Sequence, residues 1–108
     1  MGFLQIARTS DITNGQMKSF TVEGKEILVI NFDGKYYAIN GRCTHMGGEF
    51  VKGKLEGKII TCPRHGAKFD ITTGKCISGP KIGVLKLKTK DEVTYEVKIE
   101  NEAIKVNL

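Results

Sequence analysis

Two prolines, two histidines, three cysteines and no apolar run near the roughly 18 residues of a membrane helix are what these 108 residues have little of. With so little proline, and with 40% hydrophobic and 27% charged residues, collagen-like and disordered classes are excluded. The missing apolar run excludes a membrane-spanning helix, and the stretch Met1 to Arg8 is too short for a signal-peptide core. The expectation is therefore a soluble, cytoplasmic protein with no membrane contact. Met1-Gly2 opens like a myristoylation signal, but Ile6 stands where Ser or Thr is required. An odd cysteine count argues against a disulfide scaffold and for metal chemistry or thiols kept reduced. The length suits one domain, 1–108, with a single modest core, and leaves no room for a catalytic domain beside a partner-binding one.

Helix-length periodicity is absent too, and with it any basic helix. The net charge of +5 comes from seventeen Lys and Arg, fourteen of them lysines spread from Lys18 to Lys105, which reads as a solvated surface rather than a nucleic-acid site. Away from the cysteines and histidines there is no nucleophile with a base, no phosphate-cradling glycine loop and no carboxylate pair, so nothing supports an active site that transforms a substrate.

What is present is a series of short alternating runs broken by Gly, Asn and Asp, the pattern of an all-β sandwich or barrel. Met17 to Val22, Ile27 to Phe32 and Lys35 to Ile39 follow one another across Glu23-Gly24 and Asp33-Gly34, and read as a three-stranded meander. Val93, Tyr95, Val97 and Ile99 alternate with polar residues as one strand with a single face in a core. Ile104, Val106 and Leu108 repeat the alternation after a tight turn at Glu100-Asn101-Glu102, and Leu85 to Lys88 makes a further piece. The segment from Asn40 to Pro80 differs: eight of the thirteen glycines, all three cysteines and both histidines fall in it. Only Lys58 to Thr61 and Lys68 to Ile71 read as strands there, so the middle is expected to be loops inserted in the β framework.

The chemistry sits on those loops. Cys43-Thr44-His45 and Cys62-Pro63-Arg64-His65 bring every histidine and two of three cysteines into two glycine-flanked pairs. A lone Cys is more often a small buried hydrophobe, but two matched pairs point to a metal. Structural zinc sites favour C-x2-4-C or H-x3-5-H spacing, which C-x-H fits poorly. Two side chains at two-residue spacing on an extended loop point the same way several ångströms apart, which suits two metal centres, one taking thiolates and one imidazoles. A zinc-stabilised binding module stays open on spacing alone.

Cys43-Thr44-His45-Met46-Gly47-Gly48, Cys62 to Asp70, Thr73-Gly74-Lys75 and Gly79-Pro80 together resemble the Rieske ferredoxins, small carriers that deliver electrons to ring-hydroxylating oxygenases or related enzymes. The resemblance spans nearly the whole chain. It implies an antiparallel β-sandwich of the Rieske type with two cluster-binding loops at one tip. It also implies one 2Fe-2S cluster per chain, held by Cys43 and Cys62 on one iron and by His45 and His65 on the other. Ser78 to Pro80 would cover the cluster. The implied partners are a reductase and an oxygenase or similar acceptor, met by a monomeric carrier, with no nucleic acid and no membrane involved.

Departures from the family pattern carry information as well. Membrane respiratory and photosynthetic Rieske subunits have two further cysteines joined as a disulfide where this chain has Gly48 and Arg64, and hydroxyl residues where it has Ala67 and Phe69. Without hydroxyl donors to the cluster sulfurs the reduction potential should be low. Cys76 is expected to be an inert buried thiol and Phe50 a core residue, while Met46 is either core packing or a partner contact. Arg42, Arg64 and Lys68 are expected to form a positive rim around the ligand loops, steering an acidic partner. A site with all four positions filled by protein leaves electron transfer as the function: a diffusible one-electron carrier, or a small electron-transfer or redox-sensing subunit of a larger reductase complex.

Overall fold

The computed structural model describes residues 2–42, 48–63, 66–78, 81–82, 85–86 and 91–108. Apart from two single-turn 3-10 segments, Thr9–Asp11 and Phe50–Lys52, its regular structure is all strand. The strands are β1 (Phe3–Arg8), β2 (Met17–Val22), β3 (Lys25–Phe32), β4 (Lys35–Asn40), β5 (Lys54–Glu56), β6 (Ile59–Thr61), β7 (Lys68–Asp70), β8 (Cys76–Ser78), β9 (Lys81–Ile82), β10 (Leu85–Lys86), β11 (Thr94–Tyr95), β12 (Val97–Glu100) and β13 (Ala103–Asn107). All pairings are antiparallel.

The molecule is layered. A sheet in the order β11-β4-β3-β2 lies at the centre, a sheet β1-β13-β12 covers one of its faces, and a sheet β5-β6-β7-β8 covers the other. Strand β3 records this in its sequence, because Ile27 through Asn31 are all buried. Ile27 and Val29 join Ile12, Ala38, Ile104 and Val106 in one core, whereas Leu28 and Ile30 join Ile39, Phe50, Ile60 and Phe69 in the other. A strand covered on both faces reads as a continuous hydrophobic run. Each fully buried Ile or Leu contributes about 1.5–3 kcal/mol relative to exposure. Asn31 is tolerated in that run because its Nδ2 donates to the Ile12 carbonyl at 3.0 Å and its Oδ1 accepts from Gly34 N–H at 3.1 Å.

The meander is as expected, β2 to β4 joined by two-residue turns at Glu23-Gly24 and Asp33-Gly34 with all four residues at positive φ. Such turns match the right-handed twist of the strands they connect.

Two expectations are corrected, and one strand is added that the sequence does not announce. The stretch from Asn40 to Pro80 contains four strands forming a sheet of their own, not two strands among loops. The runs Lys54–Glu56 and Cys76–Ser78 are too short and too polar to announce themselves. The alternation from Val93 to Ile99 is not one strand: Thr94–Tyr95 pairs with β4 and Val97–Glu100 pairs with β13, in different sheets. Its apolar positions do not share a core either, as Val93 is 58% and Ile99 45% exposed. Lastly, Phe3–Arg8 is a strand that pairs with Ala103–Asn107, an association between distant parts of the chain that no local pattern announces. Leu85–Lys86 pairs with Lys81–Ile82, while Leu87 and Lys88 lie outside the described residues. Among the described residues, no helix is long and apolar enough to cross a membrane.

Candidate metal centre

Strand β4 ends at Asn40, and the next residue is drawn tightly to β3. The Gly41 N–H donates to the Glu26 carbonyl at 2.8 Å, and a Cβ at Gly41 would lie 3.2 Å from Glu26 backbone carbon. Arg42 then pairs with Glu49 as an isolated antiparallel bridge, and Phe50 N–H donates to Gly41 O at 3.1 Å. These contacts form a neck that brackets residues 43–48. A second neck forms where Thr61 of β6 pairs with Lys68 of β7, with Cys62 N–H donating to Ala67 O at 2.7 Å, and it carries a loop at 62–67. In sequence a cysteine follows the paired residue of each neck: Cys43 follows Arg42, and Cys62 follows Thr61 and closes the second neck with its own N–H.

The necks are stitched to each other. Phe50, just after the first loop, meets Phe69, just after the second, edge to face with ring centroids 5.4 Å apart and planes at 79°. Gly53 lies flat against the second neck, where a Cβ would overlap the Thr61 carbonyl oxygen and come within 3.3 Å of Pro63 Cδ. Only a residue without a side chain permits that approach. Phe50 and Phe69 are fully buried in the core formed with Leu28, Ile30 and Ile60, so both necks rest on one apolar floor.

Of the four expected ligands, Cys62 is described. It is 1% exposed and sits in that apolar cluster at the base of its loop. Cys43, His45 and His65 lie outside the described residues, as do Met46, Arg64, Gly79 and Pro80. Ser78 pairs with Lys68, which sets the start of the third segment beside the second neck. Phe50 is core, as expected. Cys76 is corrected from buried to half-buried; it opens β8, packs against the core cluster, and its N–H is taken by Asp91 Oδ1 at 2.8 Å.

The expected positive rim is also corrected at Arg42. Its guanidinium grips Glu26 with two nitrogens, Nε to Oε2 and Nη2 to Oε1, each at 2.9 Å, and reaches Glu49 Oε1 at 3.4 Å. Lys52 Nζ holds the other Glu49 oxygen at 2.9 Å. The Glu26 hydrogen bond raises the Arg42 pKa above its ordinary value, and the hydrogen bond and charge of Lys52 hold the Glu49 carboxyl below its own. Two cations and two anions therefore cancel at the first neck. Glu26 belongs to a distant strand, so its part was hidden in the sequence; the signal available was Arg42 and Glu49 flanking the 43–48 loop.

Buried among apolar side chains, a Cys62 thiolate needs a cation to sustain its charge. A cluster taking two thiolates and two imidazoles would fit the Cys/His donor set that the sequence places just beyond the two necks. A cluster of the 2Fe-2S type thus agrees with the residues present.

Residues 2–91 match the model of the Rieske [2Fe-2S] domain. The chain is 37% identical over 106 residues to the ferredoxin component of the naphthalene 1,2-dioxygenase system of Pseudomonas putida, covering 98% of this chain and 95% of that one. It is 31% identical over 108 residues to the ferredoxin component of biphenyl 2,3-dioxygenase of Rhodococcus jostii (strain RHA1), covering 100% and 94%. Among solved structures, it superposes with a TM-score of 0.84 on a chain of the complex of reduced oxygenase and oxidised ferredoxin in carbazole 1,9a-dioxygenase. That chain is 27% identical, and the match covers 96% of this chain and all of that one.

Proposed function

The chain belongs to the Rieske [2Fe-2S] domain family and carries electrons rather than transforming a substrate, and we propose that Cys43 and Cys62 hold one iron of its cluster while His45 and His65 hold the other. The observation that supports this assignment is the pair of necks, each with a cysteine next to its paired residue in sequence, stitched together by Phe50, Phe69 and Gly53. When bound, the 2Fe-2S cluster supplies reversible one-electron chemistry. The chain's own residues supply the rest. The apolar floor shields Cys62 from water, and the two necks hold the bases of the ligand segments against one core, where they would limit rearrangement around a bound cluster. With all four ligand positions filled by protein, there is no open site for a substrate.

Relatives of this chain are ferredoxin components of dioxygenase systems. By that likeness the electron donor is a reductase and the acceptor an oxygenase. The chain is read as a single domain, 1–108, since strands near its two ends share a sheet, and it acts as a monomeric carrier in the cytoplasm, apart from the membrane.

The test is spectroscopic. The purified protein should show the visible spectrum and reduced-state EPR signal of a Rieske centre, Cys62→Ser should lose both, and Cys76→Ser should keep both. A Cys62→Ser protein with its full cluster spectrum, or zinc in place of iron, would end the assignment.

A further inference from the structure

The lysines of this chain are spread evenly, but its acids are not. Residues 57–90 hold eight Lys and Arg and a single acid, Asp70, whereas the remainder holds nine cations and eleven acids. The whole positive excess therefore falls, in sequence, in the stretch that carries the second Cys/His pair.

The structure locates an exposed edge of that excess. Across the β5-β6-β7-β8 sheet, Lys54, Thr61, Lys68 and Ser78 form one register row at the second neck. The adjoining row, Leu55, Ile60, Phe69 and Cys76, packs into the core, so the first row faces outward, with Lys54 and Lys68 exposed. All twelve acids lie among the described residues, and no ion pair among the described residues involves Lys54 or Lys68. The acids of this sheet, Glu56 and Asp70, lie in the row farthest from the loop, beside Lys58. Next to the cationic row, Lys68 pairs with Ser78 but Phe69 pairs with Cys76, and the bulge leaves Ile77 without a ladder partner and 54% exposed. Bulges re-aim side chains in this way. The first neck, by contrast, is neutralised by Glu26 and Glu49.

We propose that the redox partner is a protein with an acidic face around its own redox group, and that it docks asymmetrically, over Lys54, Thr61, Lys68 and Ser78 with Ile77 as apolar contact, rather than centrally over both loops. This rests on the electron-carrier reading and adds an orientation to it. Two lone lysines, two hydroxyls and one isoleucine make a small polar patch of the kind transient electron-transfer encounters use. The row lacks the aromatic platform on which single-stranded nucleic acid stacks.

The test uses stopped-flow reduction of two acceptor proteins of opposite charge, cytochrome b5 with an acidic haem edge and cytochrome c with a basic one. One electron leaves the dithionite-reduced protein and one ferric haem becomes ferrous. Lys54→Glu/Lys68→Glu should slow transfer to cytochrome b5 about three- to tenfold and speed transfer to cytochrome c. Lys18→Glu/Lys35→Glu, equal in charge but on the central sheet, with Lys18 on edge strand β2 opposite Val29 and Lys35 opposite Phe32 at the end away from Gly41, should change neither appreciably. A shift in potential would move both acceptors in the same direction, so opposite responses identify docking. Equal effects from the two double variants would overturn the proposal, as would a fluorescent single-stranded oligonucleotide that binds the native protein and is released by the Lys54/Lys68 variant. A protein lacking the Rieske spectrum, or passing electrons to neither cytochrome, would instead defeat the electron-carrier reading.

Discussion

Single side chains set how closely the two necks approach. Gly53 has an ordinary φ of −86°, so a side chain there is excluded by space alone, and the obstacle is backbone that cannot swing away. Gly53→Ala should cost about 1–3 kcal/mol in urea unfolding, the usual range for overpacking, and should lower cluster content. A variant as stable as the native protein would show that the contact is slack. Ala67 is fully buried and its carbonyl accepts from Cys62. A hydroxyl there would add a donor beside the sulfur ligand, so Ala67→Ser should raise the reduction potential, from a native value toward the low end of the roughly −150 to +300 mV Rieske range. Voltammetry finding the native protein near the top of that span would refute the reasoning.

At the scale of elements, tight turns let such short strands find their register. Glu23-Gly24 and Asp33-Gly34 put glycine second, as paired positive φ angles favour, but the turn between β12 and β13 uses Asn101 and Glu102 at φ 49° and 66°. Glu102 thus bears a left-handed conformation that costs a residue with a Cβ about 1–2 kcal/mol, partly offset because glycine loses more entropy on folding. Glu102→Gly should therefore stabilise by about 0.5–1 kcal/mol, raising Tm by a few degrees in a calorimetric scan. The Thr9 N–H bond to the Glu102 carbonyl involves only backbone and should survive. A lower Tm would mean that the glutamate side chain contributes more than its strain removes.

For the whole molecule, two cores on opposite faces of one central sheet make stability a shared property, and acid should erode it through a few carboxylates. Asp70 accepts from the Thr72 hydroxyl at 2.6 Å and its amide at 2.8 Å, and these bonds, the hydroxyl foremost, hold its pKa below the ordinary value. A carboxyl depressed in the folded state contributes stability above its unfolded pKa, about 3.9, and loses it as pH falls through that value to the folded one. Asp70→Asn should cost less than about 1 kcal/mol at pH 7, since the site is partly solvated, and the difference from native should shrink toward zero near pH 3. Urea unfolding at both pH values measures it. A gap that persists in acid would assign the effect to packing instead.

The β class and the meander were legible in the residues, because two-residue turns and period-two alternation are local signals, and the cofactor class was legible because the chain's few Cys and His fall in two matched pairs. The run at Val93 to Ile99 misled for the converse reason: alternation says which faces a strand has, not which sheet it joins or whether a face is covered. Strand β1 awaited a partner some hundred residues away, and Lys54–Glu56 and Cys76–Ser78 become strands only through neighbours that complete their hydrogen bonds. The charge of the rim followed the same rule. Arg42 is a cation in the sequence, but Glu26 on β3 and Glu49 across the loop cancel it at the neck. Residue types and short spacings therefore determined what chemistry this chain carries. Tertiary structure decided where the charges remain uncompensated, because Coulomb partners are set by distance in space and not along the chain.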